Sequence, residues 1–557
     1  MPFHRIARNL SLEATHFLLF PPRQYHQVEN KLRILQSCHW KGRDLKPGDT
    51  VEIREELYGT TLERMGRLFT IYWILQDGQH GTIRFRGLAF ERASLQAAEA
   101  LLPAEENEVV LMLKVNAADE RSPFDQNLID ITSDDIVTVR ELRLTNASFP
   151  AYSFRDRLPN IQSGHTARSR VWQEEVLVCR WLMVSYYKDA PAMRAERLCQ
   201  LIVRRFEEAE VPATCRVSDA ALRDEHCGDS APKIDNTFTM VDMFSGGGGM
   251  SCGALQAGFR VRYAVDKDRD AMTTYALNNP FTRTYVEEIG DFFERLTTKP
   301  LPQKWRCHHL HASPSCKFIA WCHTRPGQHD EANQNTMTVM HALLSAIRPM
   351  TASLEESDNL KNHKDWYRNI LTDCLNNGYS IAWRICDARD TRSASKRMRF
   401  LLNAACPGMP LPSFAVPTHG PPGSGLLPYR TIGDALADLR RHPSATHNDS
   451  SKATPRNRQP YDPHTIACPT ITTHGAGGSQ GPIGSYHPSG TRDFTIREYA
   501  MLQGLPWNYD LGPEGRSNKT KLLEQIGNMV SPLQAKAMLE PVLELHRRIE
   551  RDSGRQG

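Results

Sequence analysis

Val241-Asp242-Met243-Phe244-Ser245-Gly246-Gly247-Gly248-Gly249 joins an apolar run to a segment of helical spacing. Residues 238–244 read as a strand and 251–258 as the helix that follows it. Glycines between them let the backbone approach a ligand closely, and the first turn of the helix offers N–H groups without partners. A second apolar strand, 261–265, leads to Asp266. An acid there can accept hydrogen bonds from ribose hydroxyls, as in nucleotide-binding βαβ units. A glycine run alone marks only a tight turn. Strand, loop, helix and acid in register point to a nucleotide-type cofactor.

The same rhythm continues downstream through 308–312, the helix-like 336–347, 350–354, 371–377, 380–386 and 399–404. It predicts an α/β domain, a parallel sheet with helices on both faces, over 237–406 and 487–546. Residues 407–486 are rich in Pro, Gly and His and read as an inserted recognition region. Regular pattern returns at 495–503 and 522–545, and 547–557 reads as a tail. Upstream, 1–45 is a polar extension. Short β-type segments follow at 51–53, 68–75, 82–90, 109–115 and 136–144, predicting a mainly β domain over 46–150. Residues 151–236 read as a connector. Leu198, Leu201, Ile202 and Phe206 give its stretch 194–210 the spacing of an amphipathic helix.

The chain has 557 residues and 68 Lys+Arg against 64 Asp+Glu, a surplus too small to demand or exclude nucleic acid. The basic residues gather locally at Arg384, Arg389, Arg392, Lys396, Arg397 and Arg399. Thirteen cysteines, none in a Cys-x-x-Cys pair, argue against a disulfide framework and a zinc module, so no metal site is expected. No segment approaches the roughly 20 apolar residues of a membrane helix, and no membrane partner is expected.

These motifs resemble the DNA cytosine-5 methyltransferase family over roughly 237–546. Phe244-Ser245-Gly246-Gly247-Gly248 is similar to its S-adenosyl-L-methionine motif, with Asp266 as the ribose acid and Glu288-Ile289 as the pair beside the adenine. Pro314-Ser315-Cys316 resembles the nucleophile loop, and Leu354-Glu355-Glu356-Ser357 stands in place of Glu-Asn-Val. Ser395-Lys396-Arg397-Met398-Arg399 resembles Gln-x-Arg-x-Arg, while 492–504 and Ile526-Gly527-Asn528 match the closing motifs. His323-Thr324, Gly327 and Asp330-Glu331-Ala332-Asn333 look like the fungal RIP-defective group, which is associated with premeiotic silencing of repeated DNA. Lys46-Pro47-Gly48-Asp49 resembles the start of a bromo-adjacent-homology (BAH) domain, a chromatin-reading module.

The resemblance implies a Rossmann-like methyltransferase domain with a small inserted target-recognition region, preceded by a BAH-like β domain. It implies double-stranded DNA as partner, chromatin or histone through the β domain, and a nuclear location. Cofactor contacts would come from Phe244, Ser245, Gly246, Gly247, Gly248, Asp266, Glu288 and Asn528.

The chemistry follows from the substrate. Carbon 5 of cytosine is a poor nucleophile inside a stacked duplex, so the base must be extruded and its ring activated. A thiolate adding to C6 does this, and cysteine forms one near neutral pH far more readily than serine forms an alkoxide. Cys316 is the expected nucleophile, Glu355 the carboxyl that shares a proton with ring N3, Arg399 the holder of O2, and Arg397 the brace of their loop.

Departures from the family pattern fall at the base-handling loops: Ser315 for Pro, Lys317 for Gln, Glu356 and Ser357 for Asn and Val, Ser395 for Gln, and Thr391-Arg392 for Tyr-Gly. They spare the cofactor motif. Two further readings therefore stay open: a cofactor-binding silencing protein with little or no catalysis, and an RNA cytosine-5 methyltransferase.

Overall fold

The computed structural model describes residues 32–54, 68–93, 101–102, 107–157, 171, 176–228, 237–298, 305–315, 319, 339–476 and 486–554. They divide into two compact units. One takes the described part of Met1–Gly228 with Leu371–Trp383 and Ala405–Leu411; the other takes that of Asp229–Ile370 with Arg384–Ala404 and Pro412–Gly557.

The first unit is built on long strands. Leu68–Asp77 pairs antiparallel with Leu32–Leu35, Thr50–Ile53 and Ile83–Arg92. Val51, Phe69, Ile71, Ile74, Phe85, Ile131 and Ile136 close a core beneath them. The expected extension 1–45 thus already carries strands at Leu32–Leu35, Cys38–Trp40 and Arg43–Leu45. The expected 136–144 strand is two, Ile136–Arg140 and Leu142–Leu144.

The connector reading of 151–236 is corrected most. Leu177–Tyr187 is a strand with all eleven residues buried, running parallel to Glu108–Asn116 and antiparallel to Leu198–Arg205. The stretch expected as a helix over 194–210 is therefore largely this last strand. Leu201, Ile202 and Val203 are contiguous and all buried. A strand covered on both faces shows no alternation, and its apolar run can imitate helical spacing. Helices do occur nearby, at Ala190–Arg194 and at Asp219–Cys227, the latter capped by Ser218 within the stretch read as a connector.

From residue 239 onward the chain, most of it in the second unit, alternates strand and helix. Its elements are β1 (Thr239–Met243), α1 (Gly249–Ala257), β2 (Arg260–Asp266), α2 (Arg269–Asn278), β3 (Arg283–Val286), α3 (Ile289–Thr298), β4 (His309–Ala312), α4 (Met340–Ile347), β5 (Thr351–Ser357), α5 (Lys364–Asn376), β6 (Ser380–Asp387), β7 (Met398–Ala405), α6 (Ile496–Leu502), α7 (Lys519–Asn528) and α8 (Pro532–Gly554). β1 lies between β2 and β4, parallel to both. β3 extends the sheet beyond β2, and β5 beyond β4; β5 also pairs with β7.

Chain order therefore reverses at β1. The crevice beyond the carboxyl ends of β1 and β4 is where such sheets bind ligands. α8 covers α1 closely: a Cβ on Gly253 would fall 2.5 Å from that of Ala535. The helix runs on through residue 554, so 547–554 is helix and not tail; Arg551 reaches back to Glu544 at 3.0 Å.

Between β7 and α6 the chain is mostly irregular, with short helices at Ile432–Ala435 and Ala437–Arg441. Ile432, Ala435, Cys468 and Ile471 pack with Phe494, Tyr499, Leu522 and Ile526, fastening this segment to α6 and α7. A buried polar ladder crosses the sheet beneath α8. His546 meets Thr351, Thr351 meets His309, and Ser353 joins His309 to His311, each at 2.9 Å. Burial pushes His309 and His311 down to about 3, so both rings are neutral at physiological pH.

Candidate active site

The glycine loop leaves β1 at Phe244, which holds a left-handed backbone, φ 60°, rare for a residue with a side chain. Neighbours fix that turn. Ser245 N–H donates to Val265 O at 3.1 Å, and Gly248 N–H to Ser245 O at 2.9 Å. Ser313, beyond β4, donates its N–H to Met243 O and its hydroxyl to Phe244 O, at 3.3 and 3.4 Å.

Two glycines are required by contact. Gly248 has φ 92°, and a Cβ there would stand 2.7 Å from the Tyr509 hydroxyl. A Cβ on Gly249 would collide with the Val530 carbonyl, while one on Gly247 would meet only the movable end of Met529. Tyr509 also donates its O–H to Gly247 O at 2.6 Å. The result is a cradle of bare backbone walled by the residues that follow α6 and α7.

Asp266 ends β2, half-buried, and accepts from Gly246 N–H and Asp268 N–H, each at 2.8 Å. Burial raises its carboxyl above the usual range although those two donors oppose it. Glu288 follows β3 on the same edge, exposed and 3.2 Å from Lys267. Asn528 closes α7, exposed and adjacent to Met529. The expected cofactor residues Phe244, Ser245, Gly246, Gly247, Gly248, Asp266, Glu288 and Asn528 therefore lie on loops about this one sheet edge. The cradle, where a Cβ at Gly248 or Gly249 would clash, and the acid at the end of β2 suit an adenosine-type cofactor.

The base-handling residues converge less uniformly. Cys316 and Lys317 lie outside the described residues, as do His323, Thr324, Gly327 and 330–333; the loop after β4 is described up to Ser315. Glu355 is buried within β5, which continues to Ser357; the expected strand end at Leu354 is three residues short. Its Oε1 accepts from Arg399 Nε of β7 at 2.7 Å. Arg399 Nη1 donates to its neighbour's carbonyl, Met398 O, also at 2.7 Å. Arg397 points elsewhere: its Nη1 donates to Gly527 O and Ile471 O, at 3.1 and 3.4 Å, tying β7 to the end of α7. These contacts go to backbone carbonyls and to neither Glu355 nor Arg399.

Sequence reading missed Asp242. It is fully buried beneath the loop, with one carboxylate oxygen accepting from Ser251 Oγ at 2.6 Å and Ser251 meeting the Tyr275 hydroxyl at 2.7 Å. Its other oxygen has no partner among the described residues. An acid inside the apolar run Thr239–Met243 was the available signal. Burial, with a smaller push from Asp266, raises it to about 7.

The unfolded carboxyl titrates near 3.8, so the neutral acid stabilises the fold below that value and the gain is lost as pH rises through about 7. At 1.36 kcal/mol per unit the span is about 4 kcal/mol. Asp242→Asn should unfold like the wild type at pH 4 and at clearly higher urea at pH 8.5. Parallel midpoints at both pH values would refute this.

Geometry and cradle define a doubly wound α/β methyltransferase. Residues 238–460 and 440–544 match the family described as C-5 cytosine-specific DNA methylase, more than half of the chain. The chain belongs to that family, whose members transfer a methyl group from S-adenosyl-L-methionine to C5 of cytosine in DNA. It is 25% identical over 338 residues to the type II methylase M.HgiDII of Herpetosiphon aurantiacus, covering 52% of this chain and 91% of the relative. It is 26% identical over 199 residues to the DNA (cytosine-5)-methyltransferase PliMCI of Paracentrotus lividus, covering 33% of this chain and 12% of the relative. Among solved structures, the Dnmt2 methyltransferase of S. pombe superposes with a TM-score of 0.40 at 16% identity, over 56% of this chain and 99% of that one.

Proposed function

We propose that the chain is a catalytically competent DNA (cytosine-5)-methyltransferase acting on a cytosine flipped out of duplex DNA. The supporting observation is the buried Glu355–Arg399 pair on the edge that carries the glycine cradle. Bound at that cradle, S-adenosyl-L-methionine supplies an electrophilic methyl group. Phe244 to Gly248, Asp266, Glu288 and Asn528 would hold it. Cys316 adds through sulfur to C6; Glu355 shares its proton with N3 as charge builds on the ring; Arg399 shifts its free donors to O2. Loss of the C5 proton then returns the electron pair that expels the thiolate. Arg397 keeps β7 and the end of α7 in place throughout.

Incubation with tritiated cofactor and, separately, duplex DNA or transfer RNA tests this. Label should enter DNA and disappear in Cys316→Ala. Label on RNA alone would favour the RNA enzyme, and cofactor binding without label on either polymer a non-catalytic silencing protein. We further propose a nuclear role in silencing of repeated DNA, with the N-terminal strands acting as a BAH-like reader of chromatin. The Lys46-Pro47-Gly48-Asp49 opening and the likeness to the RIP-defective group support it. Failure of residues 1–236 to retain nucleosomes that histone-tail peptides compete for would remove that part.

A further inference from the structure

Glu356 has no place in the mechanism above, yet it is fully buried, 0% exposed next to Glu355 at 6%. Successive residues of a strand point to opposite faces, so the two carboxyls leave β5 on opposite sides while their backbones adjoin. Glu356 Oε2 accepts from the Ser357 N–H at 3.1 Å. Its Oε1 has no partner among the described residues. The charged groups that act on it among those residues are Glu355 on its own strand and Arg399 from β7. Arg399 is already committed, to Glu355 through Nε and to the Met398 carbonyl through Nη1. Among the described residues Glu356 therefore has a like charge next to it and no cation of its own.

A buried ion in that position is expensive, and such a group sheds its charge instead. Burial, followed by repulsion from Glu355, holds its carboxyl well above the usual range; the Ser357 N–H and Arg399 pull less strongly the other way.

We propose that Glu356 is a positioning residue that works as a neutral carboxylic acid, leaving Glu355 as the one carboxyl that exchanges a proton opposite Arg399. This rests on the reading of Glu355 and Arg399 as the base-binding pair. In that state one guanidinium balances the one carboxylate left when Glu355 gives its proton to ring N3, and Glu355 recovers the proton when the base is released. Ionised, Glu356 would add a second negative charge with no cation beside it. Glu355 would then hold its proton more tightly and become a weaker acid toward N3. The pocket's ion pair thus depends on a third group on the other face of β5, an acid that must stay neutral.

Single-turnover methyl transfer to duplex DNA, followed from pH 6.5 to 9.5, tests this. The wild-type rate should fall on the alkaline side, by about tenfold per pH unit once Glu356 ionises. In Glu356→Gln, whose amide cannot ionise, the ratio of rates at pH 9.5 and 7.5 should stay within about twofold. Glu356→Ala, lacking the buried polar group, should be slower at every pH. An alkaline fall of equal size in wild type and Glu356→Gln overturns the proposal, as does a loss of more than about tenfold in Glu356→Gln at pH 7.5; a wild type flat to pH 9.5 and matched by Glu356→Gln supports an acid that stays neutral throughout. If the wild type labels no DNA at any pH, the function proposed above fails, and urea unfolding still reads Glu356. The midpoint of Glu356→Gln should then pull ahead of wild type as pH rises from 6 to 9.5; a gap that does not change with pH refutes the neutral acid.

Discussion

Methyl transfer by Glu355→Gln is expected to drop by about 10²–10⁴-fold, the range that a positioned acid or base commonly contributes. The substitution preserves shape and removes the exchangeable proton that N3 needs. Covalent trapping on 5-fluorocytosine DNA should slow in parallel, because N3 protonation assists attack at C6 before any methyl group moves. Cofactor affinity should stay within about twofold, since the cradle is built by residues on other strands. Arg399→Ala presents a second problem. It strands the Glu355 carboxylate, buried at 6% exposure, and losing one partner of a buried pair costs about 3–5 kcal/mol. The double variant Glu355→Gln/Arg399→Met should therefore be more stable than Arg399→Ala, though equally inactive. Full trapping activity in Glu355→Gln would remove the base pocket from the mechanism.

Gly248→Val should abolish measurable cofactor binding, weakening it by at least about 100-fold. A branched side chain cannot adopt φ 92° without strain, and its first carbon would press on the Tyr509 hydroxyl at 2.7 Å and the Tyr275 ring at 3.1 Å. Tyr509→Phe gives a graded comparison: it keeps the wall and deletes only the O–H donor to Gly247 O. A loss of roughly 5–10-fold is expected there, the worth of one hydrogen bond. Calorimetric titration with S-adenosyl-L-methionine reads both. Wild-type affinity in Gly248→Val would show that the ligand sits elsewhere.

Legibility in the sequence followed burial. The catalytic sheet was readable because its strands are short apolar runs divided by helices, and Gly246 to Gly249 announce the turn in which Gly248 and Gly249 are needed sterically. Leu177–Tyr187 and Leu198–Arg205 were unreadable for the opposite reason. Buried on nearly every side, they lack the alternation that distinguishes strand from helix. At the site, motif spacing placed Glu355 on the right edge, and pairing with Arg399 needed only the adjacency of β5 and β7. Tyr509 and Met529 were beyond reach, since their contacts with Gly247 and Gly248 span more than two hundred residues of chain. Glu356 was read as the loss of an amide. Its burial without a cation of its own among the described residues marks it as a group of another kind.

The cradle's far wall also sets a timetable. Phe244 to Gly248 leave the ribosome early, but Tyr509 and Met529, which close over them, emerge hundreds of residues later. A nascent chain halted before about residue 530 can fold its first strands and still have nowhere to grip the methyl donor. Competence thus arrives in one late step of synthesis, and fragments cut short by nonsense codons or proteolysis would be ligand-blind even with every glycine of the loop intact.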